Sequence, residues 1–296
     1  MHIPITVPLV TSLVAQQFPQ YAHLPIQAVV PGGVDHRTFR LGDALLLRLP
    51  SAEGYAAQVK KEQQWLPRLV QHLPVSIPTP VAMGMPSKAY PWHWSIYRWI
   101  EGQSADTIDA TGVHWQSVAA ELAQFLSALH AIDTTGGPLV GLHNYHRGAH
   151  PAVYDQAARS YIQQFSGAID AAYALAVWER AMRSQWQQSA VWVHGDLASG
   201  NILIKEEQLA AEIEFGCMGV GDPACDLTIA WTLLRGEARQ TFKDRIGLDP
   251  DTWARARGWA LWKAGFEWVA LDNKNSPAAQ KQLQVLGDIL EENACG

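Results

Sequence analysis

The run Val193-His194-Gly195-Asp196-Leu197-Ala198-Ser199-Gly200-Asn201, followed by Ala211-Glu212-Ile213-Glu214-Phe215-Gly216, carries the residues best suited to chemistry. An Asp and an Asn at this spacing, with a second carboxylate just before Phe-Gly, form the layout that orients a hydroxyl and holds magnesium on a nucleoside triphosphate. Phosphoryl transfer needs little covalent help. It needs an acceptor for the hydroxyl proton and oxygen ligands for a hard divalent cation. Asp196 suits the first role, as catalytic base or hydroxyl-orienting residue. Asn201 and Glu214 suit the second, because an amide oxygen and a carboxylate hold Mg2+ without facing excess negative charge to the phosphates.

Elements must hold these groups still. Ala190-Val191-Trp192-Val193 and Ile202-Leu203-Ile204 read as short buried strands with the Asp196 loop between them, a hairpin mouth in which Gly195 and Gly200 relax the backbone. Period-two alternation places Glu212 and Glu214 on one strand face, where like charges weaken ionisation of one of them.

The motif His194-Gly195-Asp196-Leu197 with Gly200-Asn201 is followed by Glu214-Phe215-Gly216, thirteen residues after the Asn, and then by Gly221-Asp222-Pro223 with Cys225-Asp226-Leu227. It resembles the aminoglycoside phosphotransferase family, which also includes macrolide and other small-molecule kinases. The likeness extends to Gly32-Gly33, Arg37 to Asp43, Trp94 to Gly102 and Trp259 to Lys263, and so covers most of the chain. It implies an α+β, two-lobed protein-kinase-like fold with a small sheet-rich N-lobe and a larger helical C-lobe. It also implies that His194 and Asp226 support the catalytic loop, Asp226 by bracing its backbone. This chain departs from the family at Glu214, where the pattern has Asp. Glu keeps the carboxylate and adds one methylene.

The lobes divide near residue 102, giving a nucleotide-binding part, 1–102, and a catalytic and substrate-binding part, 103–296. Strand-like runs Ile26–Val30 and Ala44–Leu49 flank the turn-rich Pro31-Gly32-Gly33-Val34-Asp35, where Gly33 lets backbone N–H groups approach phosphates. In Leu45-Leu46-Leu47-Arg48-Leu49 a permanent cation sits within an apolar strand and needs a partner. Tyr55, Val59, Glu62, Leu66 and Leu69 follow helical spacing, with Glu62 the polar member of the stripe and Pro67 kinking or ending the helix late. Arg48 and Glu62 take the places of the strand Lys and helix Glu that hold phosphates in kinases. The strand-like Trp94 to Ile100, leading into Glu101-Gly102-Gln103-Ser104, corresponds in the family to the interlobe linker whose backbone meets the nucleotide base. Tyr97 and Trp99 belong to it, and nothing in it separates ATP from GTP.

Val118, Leu122, Phe125 and Leu129 mark an amphipathic helix ending near His130, and Asp222 to Asp226 read as the acidic start of another. A tryptophan-rich helix over about Asp251 to Leu271 is apolar on nearly every face and therefore buried. Against that packing role stands a sharper one, with Trp268 or Phe266 on a ligand ring and Glu267 or Asp272 meeting an ammonium group. Arg and carboxylate residues near Tyr154 to Phe165 line the same cleft in that reading. His143, His146 and His150 show no metal-ligand spacing, and Cys217, Cys225 and Cys295 form no C-x-x-C pair, which argues against zinc and against a disulfide framework.

The 296 residues, 48% hydrophobic and 17% charged, suffice for one or two sizeable cores. There is no long uncharged apolar run and no basic N-terminal region, so a cytoplasmic protein without a membrane span is expected. No basic, aromatic-interleaved patch points to nucleic acid. Residues 1–102 carry 8 Lys and Arg against 5 Asp and Glu, while 103–296 carry 14 against 23. A positive first part suits nucleotide phosphates, and an acidic second part steers a cationic substrate. The segment between Gly216 and Asp226 contains no Ser, Thr or Tyr and is too short for a regulated activation loop, which disfavours a protein substrate. The expected activity is transfer of the terminal phosphate of ATP or GTP to a hydroxyl of a small molecule. An aminoglycoside is the first choice of acceptor, with a macrolide or metabolic alcohol next. Acidic charge favours amines, whereas tryptophan favours larger apolar rings. A different reading, motivated by Glu214 and Glu212, is a nucleotide-binding pseudokinase without turnover. The oligomeric state is not legible.

Overall fold

The structure is a computed structural model that describes residues 3–30, 32–33, 35–165 and 167–291. Pro31 and Val34 of the turn-rich piece, and Cys295, lie outside the described residues. The chain opens with α1 (Val7–Gln17), whose first turn is capped by Thr6, and continues through β1 (Ile26–Ala28), β2 (His36–Leu41), β3 (Leu45–Pro50), α2 (Glu53–Leu69), β4 (Pro80–Gly84) and β5 (Trp94–Arg98). The five strands form one antiparallel sheet in the order β1-β2-β3-β5-β4. Alternation along β3 sorts its two faces. Leu47 and Leu49 join Phe39, Ile96 and the α1 residues Val10, Leu13 and Val14 in one core. Leu46 points the other way, as does Arg48. Pro67 lies inside the last turn of α2 without ending it, so the loss of one backbone donor falls where the helix is finishing anyway.

Beyond β5 the chain becomes mainly helical: β6 (Gln103–Ser104), α3 (Trp115–His130), α4 (Asp155–Gln164), α5 (Ala171–Met182), β7 (Val191–Val193), β8 (Ile202–Lys205), β9 (Gln208–Glu212), β10 (Gly219–Gly221), α6 (Ile229–Thr232), α7 (Gly236–Ile246), α8 (Pro250–Ala270) and α9 (Pro277–Glu291). The second core gathers Val118, Leu122, Phe125, Trp178, Trp192, Trp231 and Trp259, and reaches across to Leu66 and Leu69 of α2. The molecule thus has the two-lobed, kinase-like α+β architecture. Among the described residues no helix is long and apolar enough to cross a membrane.

The expected hairpin around Asp196 is replaced by another pairing. β7 pairs with β10, while β8 pairs with β9 and β6. Asp226 draws the His194 and Gly195 N–H groups to itself, so the chain turns out of β7 before it can fold back on that strand. Likewise Glu212 and Glu214 do not share a strand face. β9 ends at Glu212, and Glu214 adopts a left-handed backbone, φ 67°, which turns its side chain away. The Asp222 segment is a 3-10 turn, Pro223–Thr228, ahead of the single-turn α6.

Candidate active site

The catalytic loop is held from beneath by a buried carboxylate. Asp226 Oδ2 accepts from His194 N at 2.7 Å and Oδ1 accepts from Gly195 N at 2.8 Å. Burial outweighs these bonds and raises the Asp226 carboxyl to about 6. His194 is fully buried, and that burial lowers its imidazole to about 4. The neutral ring donates through Nε2 to Ile213 O and accepts the Asp196 N–H at Nδ1, fixing the backbone on both sides of the loop. Gly195 has φ 82°, and a Cβ there would lie 2.2 Å from Cys217 O, so only glycine lets the two segments meet.

Asp196 projects from this frame. Its Oδ1 accepts from Lys263 Nζ at 3.1 Å, and its Oδ2 and backbone O accept from Asn201 Nδ2 at 3.2 and 2.8 Å. Burial works to raise the Asp196 carboxyl, but Lys263 and Arg147 overcome it and hold the group below the ordinary range, ionised. Lys263 and Arg147 carry no role in the sequence reading. Lys263 is the last residue of the Trp259 to Lys263 signature, but only a fold reveals that it meets residue 196.

On the sheet side, Arg48 is a hub. Its Nη1 donates to both oxygens of Glu62 at 3.1 Å, and its Nη2 donates to Glu214 Oε2 at 2.5 Å and to neutral, buried His36 at 3.2 Å. Burial opposes the charge, but Glu214 and Glu62 outweigh it and push the guanidinium still higher. Tyr97 donates its hydroxyl to Glu62, so its side chain braces the ion pair and does not face a base. The Trp99 backbone N–H donates to Ala44 O, and its ring lies under the Arg40 guanidinium at 4.4 Å. Gly33 O accepts from Arg37 at 2.6 Å, drawing the loop toward β2.

Glu214 keeps 31% of its side chain exposed at the cleft, yet the protein crowding it is enough for burial to raise its carboxyl to about 7 against the opposing pull of Arg48. Among the described residues no three His, Cys, Asp or Glu side chains converge as a metal cage. The donor set of Glu214 and Asn201 fits Mg2+ of the kind held by one carboxylate, nucleotide oxygens and water. Glu212, by contrast, is wholly buried with neither oxygen hydrogen-bonded, and burial together with neighbouring Asp226 pushes its carboxyl well above the ordinary range.

The acceptor-side expectations shift along α8. Trp268 lies about 140° round the helix from Lys263 at 100° per residue, and its ring packs edge-on against Phe165 under the Lys274 ammonium, 4.3 Å away. It is therefore a closed, structural ring. Glu267 accepts from Gln282 of α9, and Asp272 is exposed beyond the helix end. Asp155 and Arg159 of α4 are spent on each other, with Glu179 and Trp178 as further partners.

The sequence profile of the phosphotransferase enzyme family matches residues 27–259. The chain belongs to that family. Solved structures share its fold over nearly their whole length. The GDP and kanamycin complex of APH(2")-IIia is 19% identical with a TM-score of 0.72, covering 96% of this chain and 99% of that one. The GDP complex of wild-type aminoglycoside 2'-phosphotransferase-IIIa is 19% identical with a TM-score of 0.71, covering 96% and 98%. The apoenzyme of macrolide 2'-phosphotransferase MphH from Brachybacterium faecium is 21% identical with a TM-score of 0.60, covering 95% and 97%. No curated protein sequence matches the chain. This phosphotransferase therefore presents a small-molecule kinase scaffold around the Asp196 loop.

Proposed function

We propose that the protein transfers the terminal phosphate of ATP or GTP to a hydroxyl of a small molecule, with residues 1–102 forming the nucleotide lobe and 103–296 the catalytic lobe. The observation that carries this reading is the ionised Asp196 carboxylate, fixed at a braced loop with Oδ1 on Lys263 and Oδ2 turned to Asn201. The acceptor hydroxyl approaches Asp196, which orients it and takes its proton as the new O–P bond forms. The bond from the terminal phosphorus to the bridging oxygen breaks, and nucleoside diphosphate leaves. Asn201 and Glu214 would hold Mg2+, which would supply positive charge to neutralise the phosphates. Arg48, secured by Glu62 and Tyr97, meets phosphate oxygens, and Gly33 belongs to the loop above them. His194 and Asp226 position the loop and touch no substrate. Similar folds described with GDP, ADP and ATP support a purine nucleotide donor. Aminoglycoside and macrolide acceptors are the two classes named for those proteins.

The test is Asp196→Asn. It should lower turnover by about two to four powers of ten while nucleotide binding, read by calorimetry, stays near that of the parent. Near-normal turnover removes Asp196 from the mechanism. Nucleotide binding without transfer to any alcohol in the parent protein favours the pseudokinase reading raised by Glu214.

A further inference from the structure

One stripe of α8 sets the character of the acceptor side. Trp259, Trp262, Lys263 and Phe266 recur at spacings that share a helix face, and Lys263 anchors that face to Asp196. Trp262, itself buried, stacks on Tyr154 with ring centroids 4.1 Å apart and on Phe266 at 5.8 Å, so it backs the half-buried Tyr154 and the exposed Phe266. Phe266 is 51% exposed at its end. Arg147 lies 4.7 Å over Trp262 and 5.4 Å over Trp259. Among the described residues it has no carboxylate within ion-pair distance, and its Nε is buried without a hydrogen-bond partner. Lys61 adds a second cation without a carboxylate, held instead by His143 and Met218 O.

Charge around these rings runs opposite to the acidic balance of residues 103–296. Several acids of that balance are held by other side chains: Asp155 and Glu179 by Arg159, Asp222 by Arg255, and Glu267 by a hydrogen bond from Gln282. A polyamine at Asp196 would meet Lys263 and Arg147 already set against that carboxylate, while Asp35, which also feels the Asp196 charge, is engaged by Gln58 and Tyr55. An anion would meet an unpaired guanidinium, whose planar fork suits carboxylate and phosphate oxygens.

We propose that the acceptor is a flat-ringed alcohol carrying an anionic group, its ring along Tyr154 and Phe266, which Trp262 backs, and its anion at Arg147. The proposal rests on the reading that Asp196 faces the acceptor, and it narrows that reading from any small alcohol to this class.

Matched probes test it: para-hydroxymethyl benzoate, benzyl alcohol, para-hydroxymethyl benzylamine and kanamycin, each with Mg2+ and saturating nucleotide. The expected order of kcat/KM is benzoate, then benzyl alcohol, then the two amines, with about tenfold between steps, the size of one favourable charge contact in a partly exposed cleft. Arg147→Glu should reverse the order of benzoate and benzylamine. Phe266→Ala, at an exposed position that leaves folding intact, should raise KM for benzoate several-fold with a smaller change in kcat. Should no probe be turned over, the same order is read by calorimetry with nucleoside diphosphate present. Preference for kanamycin or benzylamine overturns the proposal and leaves the kinase reading standing, as does an order unmoved by Arg147→Glu. A fall in nucleotide affinity in Arg147→Glu with the probe order unchanged assigns Arg147 to the donor instead. Failure to bind nucleotide in the parent protein overturns the kinase reading itself, a separate measurement.

Discussion

Glu214 combines two departures at one position: a longer carboxylate and a left-handed backbone. For a residue with a Cβ that backbone costs about 1 kcal/mol, and Asp tolerates it better than Glu. Glu214→Asp should therefore relieve backbone strain and bring the carboxylate to the reach Mg2+ requires, and the expected outcome is higher turnover in a steady-state assay. A fall would show that the Arg48 contact at 2.5 Å is tuned to the longer side chain. His194 gives a second residue-scale expectation. Its folded-state value is depressed to about 4 from an ordinary 6.5, so it contributes stability that is complete above about 6.5 and is lost as pH falls toward 4. The contribution is on the order of 3 kcal/mol at 1.36 kcal/mol per unit. His194→Asn keeps an acceptor for the Asp196 N–H and cannot protonate. Melting temperatures recorded from pH 7 to pH 4.5 should fall less steeply for it than for the parent.

Between elements, the Arg48–Glu62 contact ties β3 to α2 across 14 residues of sequence. Removing one partner strands a buried charge and should cost about 3–5 kcal/mol, whereas Arg48→Met combined with Glu62→Gln should cost much less than the two single changes summed. Urea unfolding of the four proteins in that cycle checks it. Additive losses would mean that Glu214 and Tyr97, and not this pair, hold the two side chains. This contact was legible because alternation isolates Arg48 in an apolar strand and helical spacing isolates Glu62 in an apolar stripe. The tryptophan-rich α8 was legible for the same periodic reason. Lys263 and Arg147 were not, since both act through contacts with residues far away in sequence, and a lone Lys in an apolar helix does not name its partner. The pairing of β7 with β10 was equally hidden, because Asp226 redirects the chain through backbone N–H groups that all residue types share. Trp268 and Trp262 differ only in helical phase, and that phase has no reference until Lys263 is seen on Asp196.

Across the whole molecule, the sheet and the Glu214 segment meet where Arg48 reaches Glu214, a contact joining residues 166 apart. A nucleotide bound there stabilises only the folded chain. At one hundred times its dissociation constant it should add about 2.7 kcal/mol, equivalent to a rise in Tm of about 4 °C for a chain of this length. The Arg48→Met, Glu62→Gln protein should retain a cooperative transition and lose most of that rise. A full rise in the double variant would move the phosphate site away from Arg48.

Glu212 has a practical consequence. A carboxyl with no hydrogen bond and enclosed on all sides is pushed well above the ordinary carboxyl range, so the folded chain favours its protonated form more than the unfolded chain does. The raised folded-state value means that its contribution is intact below the ordinary carboxyl range and is lost as pH rises. Position 212 is thus an engineering handle. Glu212→Leu, which brings no polar atoms, should lengthen the half-life of the protein in warm storage, with a larger gain at pH 8 than at pH 5.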